Sequence, residues 1–321
     1  MNSRITFTEP QTEVEDASRT IGRIDGTEDG PTIIIFAGIH GNEPAGIDAL
    51  NNLFANLEDQ KEHFKGKLVG ICANQQALFE GVRFVDEDMN RIWFPSIIDK
   101  IKRTASEDLK SSERQEIKEL LGILKREIPD ESESEYPVIF VDVHSFSSQG
   151  EMFAITARKQ NHIDLLSSMH VPMIFGIEEA LRGTTLRYFQ DVGYITFALE
   201  GGNHQNKLTV TNNTAALMLL VASAGNLPPR YIPDYKDYKR HLVQENKQLP
   251  SSVKFIYQHI IEDGDDFKMR PGYTNFQPVK KGEWLANDVN GQIRAQCDGF
   301  ILMPLYQKQG DDGFFIVREQ V

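Results

Sequence analysis

Cysteine is nearly absent from this chain: of 321 residues, only Cys72 and Cys297 carry thiols. Two cysteines are too few for a disulfide framework and lack the paired spacing of a thiolate zinc site. Any metal must therefore be held by histidine and carboxylate. Positive charge is also scarce, with 34 Lys and Arg against 47 Asp and Glu and a net charge of −13. Such a balance repels phosphate backbones and excludes a nonspecific nucleic-acid binder. Long apolar runs are missing too. The longest, AALMLLVASAG (215–225), falls short of the ~20 residues that cross a bilayer, and the opening MNSRITFTEPQTEVED has no apolar signal core. The expectation is a soluble cytoplasmic protein that engages neither membrane nor nucleic acid.

What is present is a core-building composition, 40% hydrophobic, enough for one large domain or a large one plus a small one. TIIIFAG (32–38), KLVGICA (67–73), PVIFVDV (137–143) and YITFALE (194–200) are continuous apolar runs. Runs of that kind suit central strands covered on both faces. Between them Leu50, Leu53, Phe54 and Leu57 share one helical face, as do Ile117, Leu120, Leu121 and Leu124. This alternation indicates an α/β sheet. The acidic PDESESE (129–135) reads as a solvated loop. After NNTAALMLLVASAG the composition shifts to Pro, Tyr and charge, as in a surface linker over 231–249. VKFIYQHII, EWLAND, GQIRAQ, GFILMPL and GFFIVRE then form short segments between turns. The expected organisation is a main domain over 1–230, the linker, and a β domain over 250–321. No internal repeat is evident.

Ligands of open α/β sheets gather at the carboxyl ends of strands, and GIHGNE (38–43) stands at such an end. His40 offers an imidazole and Glu43 a carboxylate, with Gly41 between them expected to let the backbone turn; both side chains suit zinc. Alone, this pair reads more readily as a surface turn than as a metal site. VIFVDVHSFSS places His144 at the end of another strand. Asp142, two residues earlier on the same face, can orient an imidazole, as metal-bound histidines require. His63, His162, His170, His241 and His259 lie in polar or helical contexts without such placement.

AGIHGNEPAG, RFVDEDMNRIW and VDVHS together resemble the zinc-dependent succinylglutamate desuccinylase and aspartoacylase family, which is related to metallocarboxypeptidases. The resemblance runs from about residue 30 to 205, and KKGEWLANDVNGQIRAQCDGFIL is similar to the β domain that follows in that family. It implies a mixed central sheet flanked by helices, zinc carboxypeptidase-like, with a small C-terminal all-β domain. It also implies one zinc per chain on His40, Glu43 and His144, with a water at the open position. Glu200 matches the family's strand-terminal Glu-x-Gly and is implied as the general base; without the other motifs it reads as the cap of an exposed strand end. Asn90 and Arg91 are implied to hold a substrate carboxylate and Arg83 to stabilise the oxyanion. Asp88 would buttress them, and Arg187 is a weaker choice for a second anionic contact. These arginines could instead pair with Asp86, Glu87 and Asp88 at the surface. His204 lies near Glu200, in reach of substrate, but a fourth protein ligand would close the position that water needs.

Three functions follow. The leading one is a zinc-dependent amidohydrolase that deacylates a small anionic N-acyl amino acid. The alternative is a metallocarboxypeptidase acting on peptides, and the C-terminal β domain separates the two, because digestive-type carboxypeptidases lack it. The third is a noncatalytic binder, disfavoured because every ligand position and Glu200 are filled. A swinging-arm carrier is disfavoured too, since the turn NDVNGQ has no lysine. A homo-oligomer remains open.

Overall fold

The run Ile33, Ile34, Ile35, Phe36, Ala37 is completely buried in the computed structural model, which describes residues 19–129 and 134–319. Alternate side chains of a strand point to opposite faces, so this run has to be covered twice. Ile33, Ile35 and Ala37 pack with Leu50, Leu53 and Leu217 in one core, while Ile34 and Phe36 join Trp93, Ile117 and Phe140 in another. A one-residue slip would exchange the two cores, which fixes the strand's register.

In chain order the strands are β1 (Thr20–Asp25), β2 (Glu28–Ala37), β3 (Lys65–Cys72), β4 (Val138–Phe146), β5 (Phe153–Thr156), β6 (Met173–Phe175), β7 (Ile195–Asn203), β8 (Ser252–Ile260), β9 (Lys268–Met269), β10 (Gln277–Val279), β11 (Trp284–Asp288), β12 (Gly291–Arg294), β13 (Gly299–Leu302) and β14 (Asp312–Glu319). The helices are α1 (Ala45–Leu57), α2 (Gln75–Glu80), α3 (Pro95–Arg103), α4 (Ser112–Glu127), α5 (Gln160–Ser167), α6 (Ile177–Ala180), α7 (Thr185–Val192), α8 (Lys207–Ser223) and α9 (Tyr235–Asn246). Eleven strands form one mixed sheet in the order β1-β3-β2-β4-β7-β5-β6-β8-β14-β13-β10. β3, β2, β4 and β7 are its parallel centre. The fold is therefore the expected mixed sheet flanked by helices, with a small antiparallel sheet β12-β11-β9 near the C-terminus.

The C-terminal strands divide between the two sheets. β8 pairs parallel with β6 and antiparallel with β14, so the central sheet runs on without a break into the region after residue 250. The stretch 231–249, read as a linker, carries α9, whose Leu242 is fully buried in the same core as α8. Most of PDESESE and the N-terminal stretch 1–18 lie outside the described residues. Among the described residues no helix is long and apolar enough to cross a membrane.

Candidate metal centre and catalytic pocket

β2, β4 and β7 are parallel neighbours, so their carboxyl ends open on one edge of the sheet. Leaving β2, the chain turns in the left-handed region at Gly38, φ 67°. Gly41 has a different reason to be glycine from the turn expected of it: a Cβ there would lie 1.9 Å from the Ala77 carbonyl carbon, where α2 passes. His40 and Glu43 follow this turn directly ahead of α1. β4 carries Asp142 and His144 on one face, and the register sets Glu200 of β7 beside His144.

The three side chains His40, Glu43 and His144 are buried, and their ligand atoms all lie within 4.8 Å of one another. Both rings turn Nδ1 toward one carboxylate. His40 Nδ1 is 2.9 Å from Glu43 Oε1, and His144 Nδ1 is 3.1 Å from Glu43 Oε2. The opposite nitrogens meet other carboxylates: His40 Nε2 is 3.1 Å from Asp88 Oδ1, and His144 Nε2 is 3.1 Å from Asp142 Oδ2. A carboxylate only accepts, so each ring nitrogen that faces one must bring a proton or share a cation with it. The residues therefore fit a divalent metal. The two Nδ1 atoms and Glu43 supply the nitrogen and oxygen donors zinc takes, and Asp88 and Asp142 hold the rings from behind.

The electrostatics of the cluster express the same need. Burial opposes ionisation of Glu43, yet His40 and His144 hold it well below the ordinary carboxylate range. Burial likewise opposes a charged His144, but Asp142 and Glu43 keep its proton on well above the usual imidazole value. Asp88, also buried, is held well down by Arg83 and His40. Glu200 differs: burial and the nearby Glu43 and Asp142 raise it to about 8 against the pull of His144 and Arg83. Its Oε2 is buried without a hydrogen-bond partner among the described residues.

The loop between α2 and α3 brings Arg83, Asn90 and Arg91 to the same cavity and Asp88 behind His40. Arg83 pairs with Asp88 Oδ2 at 3.0 Å and lies 3.7 Å from Glu43 Oε1. Asp88 also accepts from the Asn90 backbone N–H at 2.9 Å. Asn90 Oδ1 accepts from the Thr185 N–H at 3.0 Å, which aims the amide nitrogen toward His144 Nε2, 3.5 Å away. Arg91 donates to its neighbour's carbonyl and to Asp312 Oδ2. Arg187 stays apart: its Nε donates to Asp191 one turn along α7, and it does not line the cavity.

Several contributors carry no local sequence signal. Thr185 donates to Asp142 as well as to Asn90. Fully buried Glu113 accepts from the backbone N–H groups of Val85, Asp86 and Glu87 at 2.7, 3.1 and 3.2 Å, and so fixes the arginine-bearing loop. Ser145 and Gln307 hold the two ring nitrogens of His204, at 2.7 and 3.2 Å. Glu178, 3% exposed, also faces the cavity. The cavity has a volume of about 110 Å3 and opens at one side to solvent, and Met303, Leu305, Gln307, Asp312 and Phe315 supply a wall from beyond residue 300.

Among curated proteins the chain is similar to the succinylglutamate desuccinylase of Shewanella sp. (strain MR-4), 24% identical over 327 residues, covering 92% of this chain and 89% of that protein. Among solved structures it superposes on a succinylglutamate desuccinylase/aspartoacylase from Rhodobacter sphaeroides with a TM-score of 0.65 at 14% identity, covering 93% and 88% of the two chains. The ectoine utilization protein EutE (DoeB) from Ruegeria pomeroyi gives a TM-score of 0.63 at 18% identity, covering 91% and 87%. These likenesses establish the fold. The model of the succinylglutamate desuccinylase/aspartoacylase catalytic domain matches residues 29–223, which hold every strand end described above, and the chain accordingly belongs to that family.

Proposed function

We propose that this protein is a zinc-dependent hydrolase that cleaves the amide bond of a small N-acyl amino acid bearing a free carboxylate. The observation that carries the reading is the pairing of Glu200, buried and unpartnered at Oε2, with the His40, Glu43 and His144 cluster beside it. Zinc held by those three side chains would acidify a water and polarise the scissile carbonyl. Glu200 accepts the proton lost by the attacking water and returns it to the leaving nitrogen, so that water and amide become acid and amine. An affinity for protons raised by burial suits a group that must both take and give one near neutral pH. The Arg83 guanidinium, fixed by Asp88, faces the oxygen that becomes negative as the carbonyl is attacked. Thr185 occupies the Asn90 oxygen and turns the amide nitrogen, which lies 3.5 Å from His144 Nε2, into the cavity with a second N–H to offer, and Arg91 retains donors beyond the two it uses. These two residues take the substrate carboxylate.

A metallocarboxypeptidase would use the same groups on a peptide. The wall from beyond residue 300 favours the smaller substrate: Gln307 bonds to Asn42 and His204, and Gln309 accepts from the Arg83 N–H, closing one side of the cavity. In this reading residues 1–230 supply the chemistry and 250–321 limit the room. Turnover of a panel of N-acyl amino acids and short peptides by the zinc-loaded protein tests the proposal. Hydrolysis of the former is expected; efficient trimming of long peptides moves the assignment to a carboxypeptidase, and inactivity on both overturns it.

A further inference from the structure

The chemistry proposed above uses one end of the cavity, and the other end is built differently. On β7, Ala198 lies on the same face as Glu200, about 7 Å further down the strand, and Ile155 of β5 pairs opposite it. With Leu186 and Phe315 they belong to one apolar cluster, against which Leu181 packs, and all five line the cavity as an apolar compartment. Glu178 lines the same cavity. Glu178 on α6 is 3% exposed, and its Oε2 accepts from the Gly176 N–H at 2.7 Å. Among the described residues no Lys, Arg or His forms an ion pair with it; the neighbouring Arg187 is engaged with Asp191. A buried carboxylate of this kind is costly to ionise without a cation, and burial pushes it up to about 7.

We propose that the apolar compartment receives a protonated amine of the substrate, selected by Glu178, so that the compound hydrolysed is an N-acyl amino acid carrying a second, free basic nitrogen. The inference rests on the hydrolase reading. The apolar walls accommodate a methylene chain, and the ~7 Å from Glu200 to the level of Ala198 is about the reach of a three- to four-carbon arm. A carboxylate on that arm would instead meet Glu178 in a low-dielectric setting, where Arg187, engaged with Asp191, offsets only part of the repulsion.

The test compares three N-acetyl amino acids of matched side-chain length with the zinc-loaded enzyme: Nα-acetylornithine, Nα-acetylnorleucine and Nα-acetyl-2-aminoadipate. The wild type should prefer the ornithine compound in kcat/KM by at least about tenfold, the scale of a hydrogen bond to a charged group. Glu178→Gln, which keeps an oxygen for the Gly176 N–H, should remove that preference by lowering turnover of the ornithine compound far more than that of the norleucine compound. Equal loss on all three substrates would show a merely structural role and overturn the proposal. So would a wild-type preference for the neutral or acidic compound, which decides the matter even if the variant does not fold. If the acetyl compounds and their N-succinyl counterparts all go unhydrolysed, the failure lies with the hydrolase reading, and calorimetric titration with n-butylammonium tests Glu178 separately. Binding that is lost in Glu178→Gln supports the compartment's role; absent or equal binding overturns it.

Discussion

The strand ends of β2, β4 and β7 and the strands after residue 250 face one cavity with opposite chemistry. The strand ends contribute His40, Glu43, His144 and Glu200, four buried titratable groups, the first three joined by short contacts and Glu200 set beside His144 by the strand register. The later strands contribute mostly apolar wall and neutral donors and acceptors, Met303, Leu305, Gln307 and Phe315, with Asp312 committed to Arg91 and Gln258. The contrast teaches where substitutions act. Changes at the strand ends alter the reaction itself, because the groups there share protons and charge. Changes in the later wall alter which molecules fit.

The largest expected effect breaks the comparison at its reactive side. Glu200→Gln should lower kcat by ~10² to 10⁴ while leaving bound metal unchanged, as for loss of a general acid/base; near-normal kcat would transfer that role to another residue. Next, Arg91→Ala should weaken kcat/KM for a carboxylate-bearing substrate by about 2 to 5 kcal/mol and narrow its advantage over the corresponding methyl ester. Equal loss on acid and ester would remove the carboxylate contact. A pH effect follows for Glu178, whose folded form is raised to about 7. A raised acid lends the fold stability that is full below the unfolded value of about 4.3 and lost as pH rises through 7, about 4 kcal/mol in all. Urea denaturation of wild type and Glu178→Gln should therefore diverge between pH 5 and 8, with the wild type losing more; parallel curves would contradict it. The smallest effect sharpens the wall's role. Gln307→Ala removes bonds to Asn42 and His204 and should cost about 0.5 to 1.5 kcal/mol of stability per hydrogen bond lost, while relative turnover of short peptides rises. An unchanged peptide-to-acyl ratio would mean that Gln307 does not limit access.

Much of the centre of this structure is legible in the sequence because its signals are local. Burial on both faces makes β2 a continuous apolar run, and His40, Glu43, His144 and Glu200 each sit at or just beyond a strand of that kind. The groups that position them are not local. Asp312 meets Arg91 across 221 positions, and Thr185 meets Asn90 across 95. Glu113 looks like an ordinary helix-start acid until its carboxylate is seen capping three backbone N–H groups. Arg187 shows the converse: its Nε is taken by an i,i+4 partner on its own helix and it does not line the cavity. The Pro- and Tyr-rich stretch hides α9, because a helix that buries little more than Leu242 and Asn246 leaves a weak apolar pattern. The continuation of the central sheet into β8 and β14 rests on long-range pairing, which short alternating segments do not encode.

The central claim is that the strand-end cluster holds the metal on which hydrolysis depends. Its most direct test is zinc titration of chelator-treated protein, followed by turnover of an N-acyl amino acid, for the wild type and for His144→Ala. The account predicts activity that rises to a plateau at one zinc per chain in the wild type, and substantially weakened binding without recovery of activity in the variant. Full activity in metal-free wild type, or an unchanged titration in His144→Ala, would contradict it.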